Sequence, residues 1–217
     1  MKTVVLCAAL LGFVPAAFAE KPVAVASQQA TQQATQDLLD KVKQQLKDAP
    51  VVRGKFEQEK SIKGFKQPLR SSGEFVVAKS KGIVWHVLKP FESTLIVKPD
   101  SLQSRRGDGE VSMQMRAEDE PVLRTVNAML FAVMSADLVQ LRQFFEVSGK
   151  AQASGWQMHL VPRDPMLAQW LASVDLQGGQ FVREVKLQEA RGDSSVIRIQ
   201  DAAAEQTLRD ADVALFR

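Results

Sequence analysis

Histidine is the side chain best suited to acid–base chemistry near neutral pH, and the chain contains two, His86 and His159. Each alternates with apolar neighbours in an apparent strand, a pattern more typical of surface or structural histidines than of catalytic ones. No Gly-x-Ser-x-Gly elbow, paired-histidine metal motif or glycine-rich phosphate loop accompanies them. The sequence therefore predicts neither enzymatic activity nor a bound metal or cofactor.

Two other groups of charged residues have simple explanations. The acids at 118–120 stand where a helix is expected to begin, so the helix dipole explains them better than paired acid–base chemistry does. The tripeptide Arg-Gly-Asp occurs at 106–108 and again at 191–193, where Gly-Asp beside an arginine is ordinary turn chemistry. Neither group therefore indicates catalysis or cell adhesion.

The N-terminus has the features of an export signal. Lys2 precedes an apolar run at 4–18, and Ala-Phe-Ala at 17–19 ends it. A positive start, an apolar middle too short to span a bilayer and an Ala-x-Ala exit are typical of a secretory signal peptide. We expect cleavage after Ala19 and a location in the bacterial periplasm. Cys7 is the single cysteine and would be removed with residues 1–19, so the mature chain has no disulfide or thiolate.

Composition narrows the function classes further. The chain has 217 residues and a formal net charge of +3, with acids and bases interspersed. This balance predicts no nucleic-acid partner, and no block of basic residues marks a membrane-surface patch. Residues 20–35 are small, polar and repetitive, which indicates a flexible leader before one domain at 36–217. We expect the mature protein to be a soluble monomer.

Hydrophobic periodicity predicts the elements of that domain. Thr35 is the expected N-cap of an amphipathic helix that ends at Ala49, before Pro50. Runs rich in β-branched and aromatic residues then predict four strands at hairpin spacing, at 52–62, 73–78, 82–88 and 93–98. Residues 120–145 predict two short helices broken near 135–137. Further strands are predicted at 151–161, 173–176, 180–189 and 195–200.

Strands interrupted once by helices predict an α+β fold, with a curved antiparallel sheet whose concave face the central helices cover. These helices are unusually apolar: between Val122 and Met134, apolar residues fall on more than one face, so packing against the sheet does not account for all of them. Tyrosine is absent. A cavity lined by Phe, Trp, Met and aliphatic side chains would favour a hydrocarbon over a polar metabolite.

A series of strand motifs resembles a known family. Phe56-x-Gln58 is followed by a Gly-x-Phe strand at 73–77, by a strand ending in tryptophan at 82–85, and by a Lys-Pro strand at 89–97 that ends in an aliphatic run. In order and spacing these motifs resemble the amino-terminal half of the periplasmic outer-membrane lipoprotein carrier family, LolA-like. The later helices and residues 212–216 resemble it more loosely.

The resemblance implies a curved, incompletely closed antiparallel β-barrel with helices forming a lid over an apolar concave face. It implies a carrier that accepts the acyl chains of a lipoprotein from an inner-membrane transporter and passes them to an outer-membrane receptor. Strand alternation places Phe75, Val77, Ile83 and Trp85 on the concave face. The full set of candidate ligand-binding residues is Phe75, Val77, Ile83, Trp85, Val87, Leu95, Val97, Leu123, Val126, Met129, Leu130, Phe131 and Met134.

The sequence departs from the family pattern in two places. The family often has an arginine that ties the lid to the barrel, and the aligned residue here is Lys79, the candidate lid latch, whose ammonium cannot copy the hydrogen-bonding fork of a guanidinium. Residues 98–104 also differ from the usual Asp-Gly-Lys-x-Leu-Trp. Two alternatives therefore stay open: a pathway-specific carrier of a free lipid or polyene-like precursor, and a lipid-sensing interaction protein of the same fold.

Overall fold

The structure is a computed structural model of the chain that describes residues 22–119 and 122–216. The chain divides into two units, Met1–Ala34 and Thr35–Arg217. In the first unit, residues 22–34 are described and are helical, whereas the second unit holds all of the described strands. The predicted signal peptide at 1–19 and its cleavage site lie outside the described residues.

One antiparallel sheet dominates the second unit. Its strands are β1 Val51–Ser61, β2 Leu69–Ala78, β3 Gly82–Lys89, β4 Ser93–Val97, β5 Ser101–Arg106, β6 Val111–Arg116, β7 Phe145–Gln152, β8 Gly155–Pro162, β9 Leu171–Gly178, β10 Val182–Glu189 and β11 Ser194–Glu205. The order of these eleven described strands is β6-β5-β4-β3-β2-β1-β11-β10-β9-β8-β7. Since the two edge strands do not pair, the sheet is not closed into a barrel, which confirms the predicted α+β, incompletely closed architecture.

The helices are α1 Pro22–Gln45, α2 Val122–Ser135, α3 Leu138–Phe144, α4 Pro165–Ala168 and α5 Asp210–Leu215. The predicted break between two central helices is confirmed. Ala136 adopts a positive φ of 48° there, and the Asp137 carboxylate accepts hydrogen bonds from the backbone N–H groups of Val139 and Gln140. This cap begins α3.

The first helix differs from its predicted bounds at both ends. Its predicted start at Thr35 is wrong, because the helix already begins at Pro22. The alanines and glutamines that follow are good helix formers, and no further proline or glycine interrupts them. The helix ends at Gln45 rather than at Ala49.

The strand predictions failed where strands are polar or closely spaced. β5 and β6 were missed because serine, glutamine and arginine occupy the alternate positions of these outermost strands. The single strand predicted at 151–161 is wrong, since two strands meet there in a tight hairpin. Gly155 makes that hairpin possible with a φ of 142°, which residues with a side chain rarely adopt.

The sheet buries a hydrophobic cluster on each of its two faces. The larger cluster lies on the concave face, where Phe56 and Phe75 of the sheet pack with Leu39 and Val42 of α1 and with Leu141 of α3. The smaller cluster lies on the opposite face, where α5 and the residues beside it cover the sheet. It consists of Val51, Val76, Ala78, Val84, Leu208, Leu215 and Phe216.

The Thr35–Gln45 part of α1 is fixed to the half of the sheet formed by β7 to β11. The Thr35 hydroxyl donates to the Val147 carbonyl oxygen at 3.4 Å, and Gln45 Nε2 donates to the Gln152 carbonyl oxygen at 2.9 Å. Leu38, Leu39 and Val42 face inward and are buried. Because α1 fills this half of the concave face, the space for a ligand lies toward β1 and β2.

Candidate functional site

A cavity of about 510 Å³ lies between the end of α1, the concave face and the connection between α2 and α3. Its wall is largely apolar and comprises Leu46, Val52, Phe75, Val77, Phe131, Met134, Leu138, Phe181, Val182 and Ile199. Exposed polar side chains mark its mouth, namely Lys43, Lys47, Asp48, Lys79 and Gln180. The cavity therefore presents hydrocarbon inside and charge at its opening, a lining that suits an amphipathic ligand.

Strand register gathers the predicted sheet residues on one face. Phe75 of β2 lies opposite Trp85 of β3, and Val77 lies opposite Ile83. The next pairing continues the same rows, with Trp85 opposite Leu95 and Ile83 opposite Val97 of β4. Side chains of directly opposed residues share a face. The two rows form the inner surface of this half of the sheet, and all of their members belong to the concave-face cluster.

Trp85 lies in an aromatic stack on that surface. Its ring is 3.7 Å from the Phe56 ring and 6.0 Å from the Phe75 ring, measured between centroids, and it is tilted by 25° and 26° respectively. Gly54, opposite Phe75, leaves room for the stack, because a Cβ there would lie 2.9 Å from the Phe75 ring. The stack forms a stiff apolar surface beside the cavity.

The predicted lid residues fall into two groups. Met129, Leu130, Phe131 and Met134 of α2 are half-buried against the concave-face cluster, and Phe131 and Met134 also line the cavity. Leu123 and Val126, nearer the start of α2, are not among the residues of that cluster or of the cavity wall. Of the predicted set, four residues line the cavity directly: Phe75, Val77, Phe131 and Met134.

Several cavity residues were not among the predicted contacts. Val52 lies opposite Val77, and Ile199 lies opposite Phe56, so β1 and β11 extend the apolar face beyond β2. Leu46 continues the inner face of α1, and its helical spacing from Val42 was the available signal. No sequence signal links β11 to β1, because their pairing joins the two ends of the domain.

Lys79 lies at the mouth of the cavity, where its ammonium group pairs with the Asp48 carboxylate. The hydrogen bond and the positive charge of Lys79 hold the pKa of Asp48 below its usual value. Asp48 belongs to the connection after α1 and is highly exposed. The described ion pair of Lys79 thus joins the β2–β3 turn to that connection, and its role as a lid latch stays a prediction.

A direct tie between α2 and the sheet occurs at Asn127, which is only 2% exposed. Its Nδ2 donates to the carbonyl oxygens of Lys98, at 2.7 Å, and Ser101, at 3.1 Å. Lys98 lies in the turn between β4 and β5, and Ser101 is the first residue of β5. Because a buried amide loses its hydrogen bonds to water, these two contacts fix the position of α2 over that turn. A lone asparagine within an apolar helix was the sequence signal for such a contact.

The two histidines offer no catalytic set. His86 Nε2 lies 3.1 Å from Glu92 Oε1, and His159 Nδ1 lies 2.7 Å from Asp175 Oδ1. Both pairs are open to solvent, and neither includes a serine or threonine hydroxyl among its described hydrogen bonds. No group of three possible metal ligands occurs in the described part of the chain. Within the same residues, no helix combines the length and apolar character needed to cross a membrane.

An open antiparallel sheet, helices over its concave face and an apolar cavity beneath them are the features of a protein that binds hydrophobic ligands. Residues 30–215 match the model of a family described as outer membrane lipoprotein carrier protein LolA-like. The chain belongs to this family, as its strand motifs predicted. The family is one of periplasmic binding proteins rather than of enzymes.

The solved structures to which the chain is similar share little sequence with it. A LolA superfamily protein from Nitrosomonas europaea is 9% identical, with a TM-score of 0.44 over 85% of this chain and 97% of that one. A DUF1329 family protein from Desulfovibrio piger is 9% identical, with a TM-score of 0.47 over 85% and 98%. For the MucA/MucB complex of Pseudomonas aeruginosa, the identity is 13% and the TM-score 0.39 over 82% and 60%. No curated protein matches the chain, so the family assignment rests on the family model.

Proposed function

We propose that this protein is a periplasmic carrier that shields the acyl chains of lipoproteins, or of a related lipidic cargo, and transfers them between the inner and outer membranes. The apolar cavity of about 510 Å³ beneath α2 and α3 carries this proposal. Burial of an acyl chain contributes roughly 0.8 kcal/mol per methylene, so a cavity of this lining can bind a chain without covalent chemistry.

The cargo first contacts the residues that already line the open cavity, Phe75, Val77, Phe131 and Met134. The other candidate contacts, Ile83, Trp85, Val87, Leu95, Val97, Leu123, Val126, Met129 and Leu130, would become accessible if α2 moved away from the sheet. Met side chains adapt to such changing apolar surroundings. Loading thus requires the contacts of α2 with the sheet to open and close again.

The route of the cargo follows from the family. The chain is exported with its signal peptide, which is cleaved after Ala19, and the mature monomer receives cargo from an inner-membrane transporter. It delivers the cargo to an outer-membrane receptor. Exposed charged residues at the cavity mouth, among them Lys43, Lys47 and Asp48, suit contacts with the peptide part of a lipoprotein or with a protein partner.

Native mass spectrometry of the protein purified gently from the periplasm tests this function, followed by organic extraction of whatever is bound. We expect an adduct that contains acyl chains and is attached to a protein. A Phe75→Glu variant should lose the adduct, because an ionised carboxylate in the cavity opposes acyl chains. Glu74→Gln on the opposite face of β2 should retain it, since Glu74 is exposed away from the cavity.

The other results of that experiment separate the alternatives. A free lipid or polyene-like molecule in the adduct would keep the cavity and replace lipoprotein transfer with a pathway-specific carrier. A clean apo mass for the wild type, together with no binding of a fluorescent acyl probe, would contradict the carrier function. Such a result would favour an interaction protein that uses the same fold as a sensor.

A further inference from the structure

Four exposed large apolar side chains lie in three of the connections between described strands. Phe65 is 69% exposed, Phe91 83%, Met166 63% and Trp170 76%. They lie in the β1–β2, β3–β4 and β8–β9 connections. Single exposed apolar residues are normal on protein surfaces, whereas a group of them at one end of a sheet is a candidate contact surface. We call these four residues, three aromatic side chains and one methionine, the aromatic rim.

The antiparallel register places the whole aromatic rim at the same ends of the strands. Hydrogen bonds join the turns directly: the Lys63 backbone N–H donates to Asp193 Oδ1 at 2.9 Å, and the Ala190 N–H donates to the Trp170 carbonyl oxygen at 3.0 Å. The β10–β11 turn therefore links the turn with Phe65 to the connection that carries Trp170. Phe91 follows β3, which is the neighbour of β2.

Cations without ion pairs surround these aromatic residues. Among the described residues, no salt bridge engages Lys63, Lys66, Lys89 or Arg191, which lie in or beside the same turns. Lys63 and Lys66 flank Phe65 in sequence. The turns that carry the aromatic rim therefore hold cations for which no ion pair is described.

The acids of these turns are held by local contacts. Glu92 Oε1 lies 3.1 Å from His86 Nε2, the Asp164 carboxylate accepts from the Met166 backbone N–H at 2.7 Å, and Asp193 accepts from the Lys63 backbone N–H. Glu110 pairs with Arg106 at 2.8 Å. Hydrogen bonds from backbone N–H groups leave Asp164 and Asp193 charged, but they hold these two carboxylates against their own turns. The cations of these turns have no described ion pair, so they are the charged side chains left to contact an anionic partner.

We propose that the aromatic rim docks the protein on the surface of a bilayer that contains anionic phospholipids. Aromatic rings prefer the boundary between headgroups and acyl chains, and nearby lysines and arginines bind anionic headgroups. The rim lies at the opposite strand ends from Lys79 and Gln180, which border the cavity mouth. Docking thus leaves the mouth open to a protein partner and does not depend on what the cavity holds.

Trp170 provides a built-in reporter for this proposal. The other tryptophans, Trp85 and Trp156, lie in the concave-face cluster, and Trp156 is only 2% exposed. We would titrate protein recovered from the periplasm with vesicles of phosphatidylcholine, alone or mixed with phosphatidylglycerol, after verifying its N-terminus by mass spectrometry. We expect a blue shift of tryptophan emission with the anionic vesicles, and we expect Trp170→Phe to abolish the shift.

Sedimentation of the same vesicles measures binding in variants. Phe65→Ser combined with Phe91→Ser should weaken binding by about tenfold or more, because two rings leave the interface. Lys63→Gln combined with Lys66→Gln should weaken it by roughly fivefold for each cation, and only with anionic vesicles. Met113→Ser on the edge strand and Lys81→Gln at the opposite strand ends are the matched controls, and they should bind as the wild type does.

All rim variants should retain the binding of an acyl probe in the cavity, which separates this proposal from the proposed function. Equal binding of neutral and anionic vesicles, or anionic binding without a shift of Trp170, would overturn membrane docking by the rim. Membrane docking would also be overturned if the protein bound no vesicles but was captured by a partner protein, and the rim variants lost that capture. The occupant of the rim would then be a protein.

Discussion

Phe131 shows how one residue connects the helical cover to the cavity. It is half-buried, packs against the concave-face cluster and lines the open space, so it is in contact with the core and also accessible to a ligand. Phe75 and Val77 meet the same space from the sheet. Apolar side chains on both walls allow one acyl chain to be surrounded.

Phe131→Glu should reduce the affinity for an acyl ligand. The change removes an aromatic contact and places a carboxylate against hydrocarbon, so we expect a loss of at least about tenfold in affinity. Displacement of a fluorescent fatty acid from the purified protein measures it. The control is Arg124→Glu, which adds a carboxylate to the exposed face of the same helix. Equal affinity in the two variants would contradict the assignment of Phe131 to the site.

At the scale of elements, α2 has two kinds of contact with the rest of the domain. Its apolar residues pack on the concave face without directional contacts, whereas Asn127 forms two directional hydrogen bonds, to the β4–β5 turn and to the start of β5. Asn127 Oδ1 is buried without a hydrogen-bond partner in the described part of the chain. The amide nitrogen therefore accounts for the polar attachment of this residue to the sheet.

Asn127→Leu should loosen α2 and speed the release of cargo. The substitution leaves the carbonyl oxygens of Lys98 and Ser101 without this donor, at a cost of about 1–3 kcal/mol. Hydrogen exchange should become faster in α2, while exchange in β8 and β9 stays unchanged.

Lys79→Arg tests the alternative tie at the mouth. Slower release in that variant, with normal exchange in Asn127→Leu, would place the latch at Lys79.

At the scale of the whole molecule, a partly buried ion-pair cluster joins the first and last segments of the domain. Arg53 of β1 contacts Glu205 of β11 at 2.8 Å and Asp212 of α5 at 2.5 Å. The hydrogen bond from Arg53, opposed by partial burial and supported by Arg209, holds the pKa of Glu205 below its usual value. Since β1 pairs with β11, this cluster stabilises the junction between the two halves of the sheet.

This cluster predicts a specific loss of stability in acid. A depressed pKa stabilises the fold fully above about pH 4.3, the usual value for glutamate, and the contribution disappears as the pH falls through the folded-state pKa. Arg53→Met should lower the free energy of unfolding by about 1–3 kcal/mol at neutral pH and by less at about pH 3. Urea unfolding at the two pH values measures the difference.

The matched control for this prediction is Lys55→Met on the same strand. Lys55 pairs with Asp201 at 3.0 Å, but the side chains are 57% and 69% exposed, so solvent screens the interaction. We expect this variant to unfold like the wild type at both pH values. A pH-independent loss in Arg53→Met would show that packing, rather than charge, accounts for the role of Arg53.

The sequence by itself determined the local features of the protein. The alternation of side chains along a strand, with a period of two, is enough to place Phe75 and Val77 on one face. The break between α2 and α3 was also visible, because Ser, Ala and Asp interrupt the apolar run. Strand motifs identified the family. Each of these signals depends on residues that are near one another in the chain.

Only the tertiary structure decided which apolar residues face open space. Ile83 and Phe75 have the same strand periodicity, yet only Phe75 lines the cavity, because the fit of α1 and α2 against the sheet determines where a gap remains. The aromatic rim likewise joins turns that are distant in sequence, so no block of basic residues revealed it. A cavity and a surface are properties of packing between remote segments, and periodicity within one segment does not encode them.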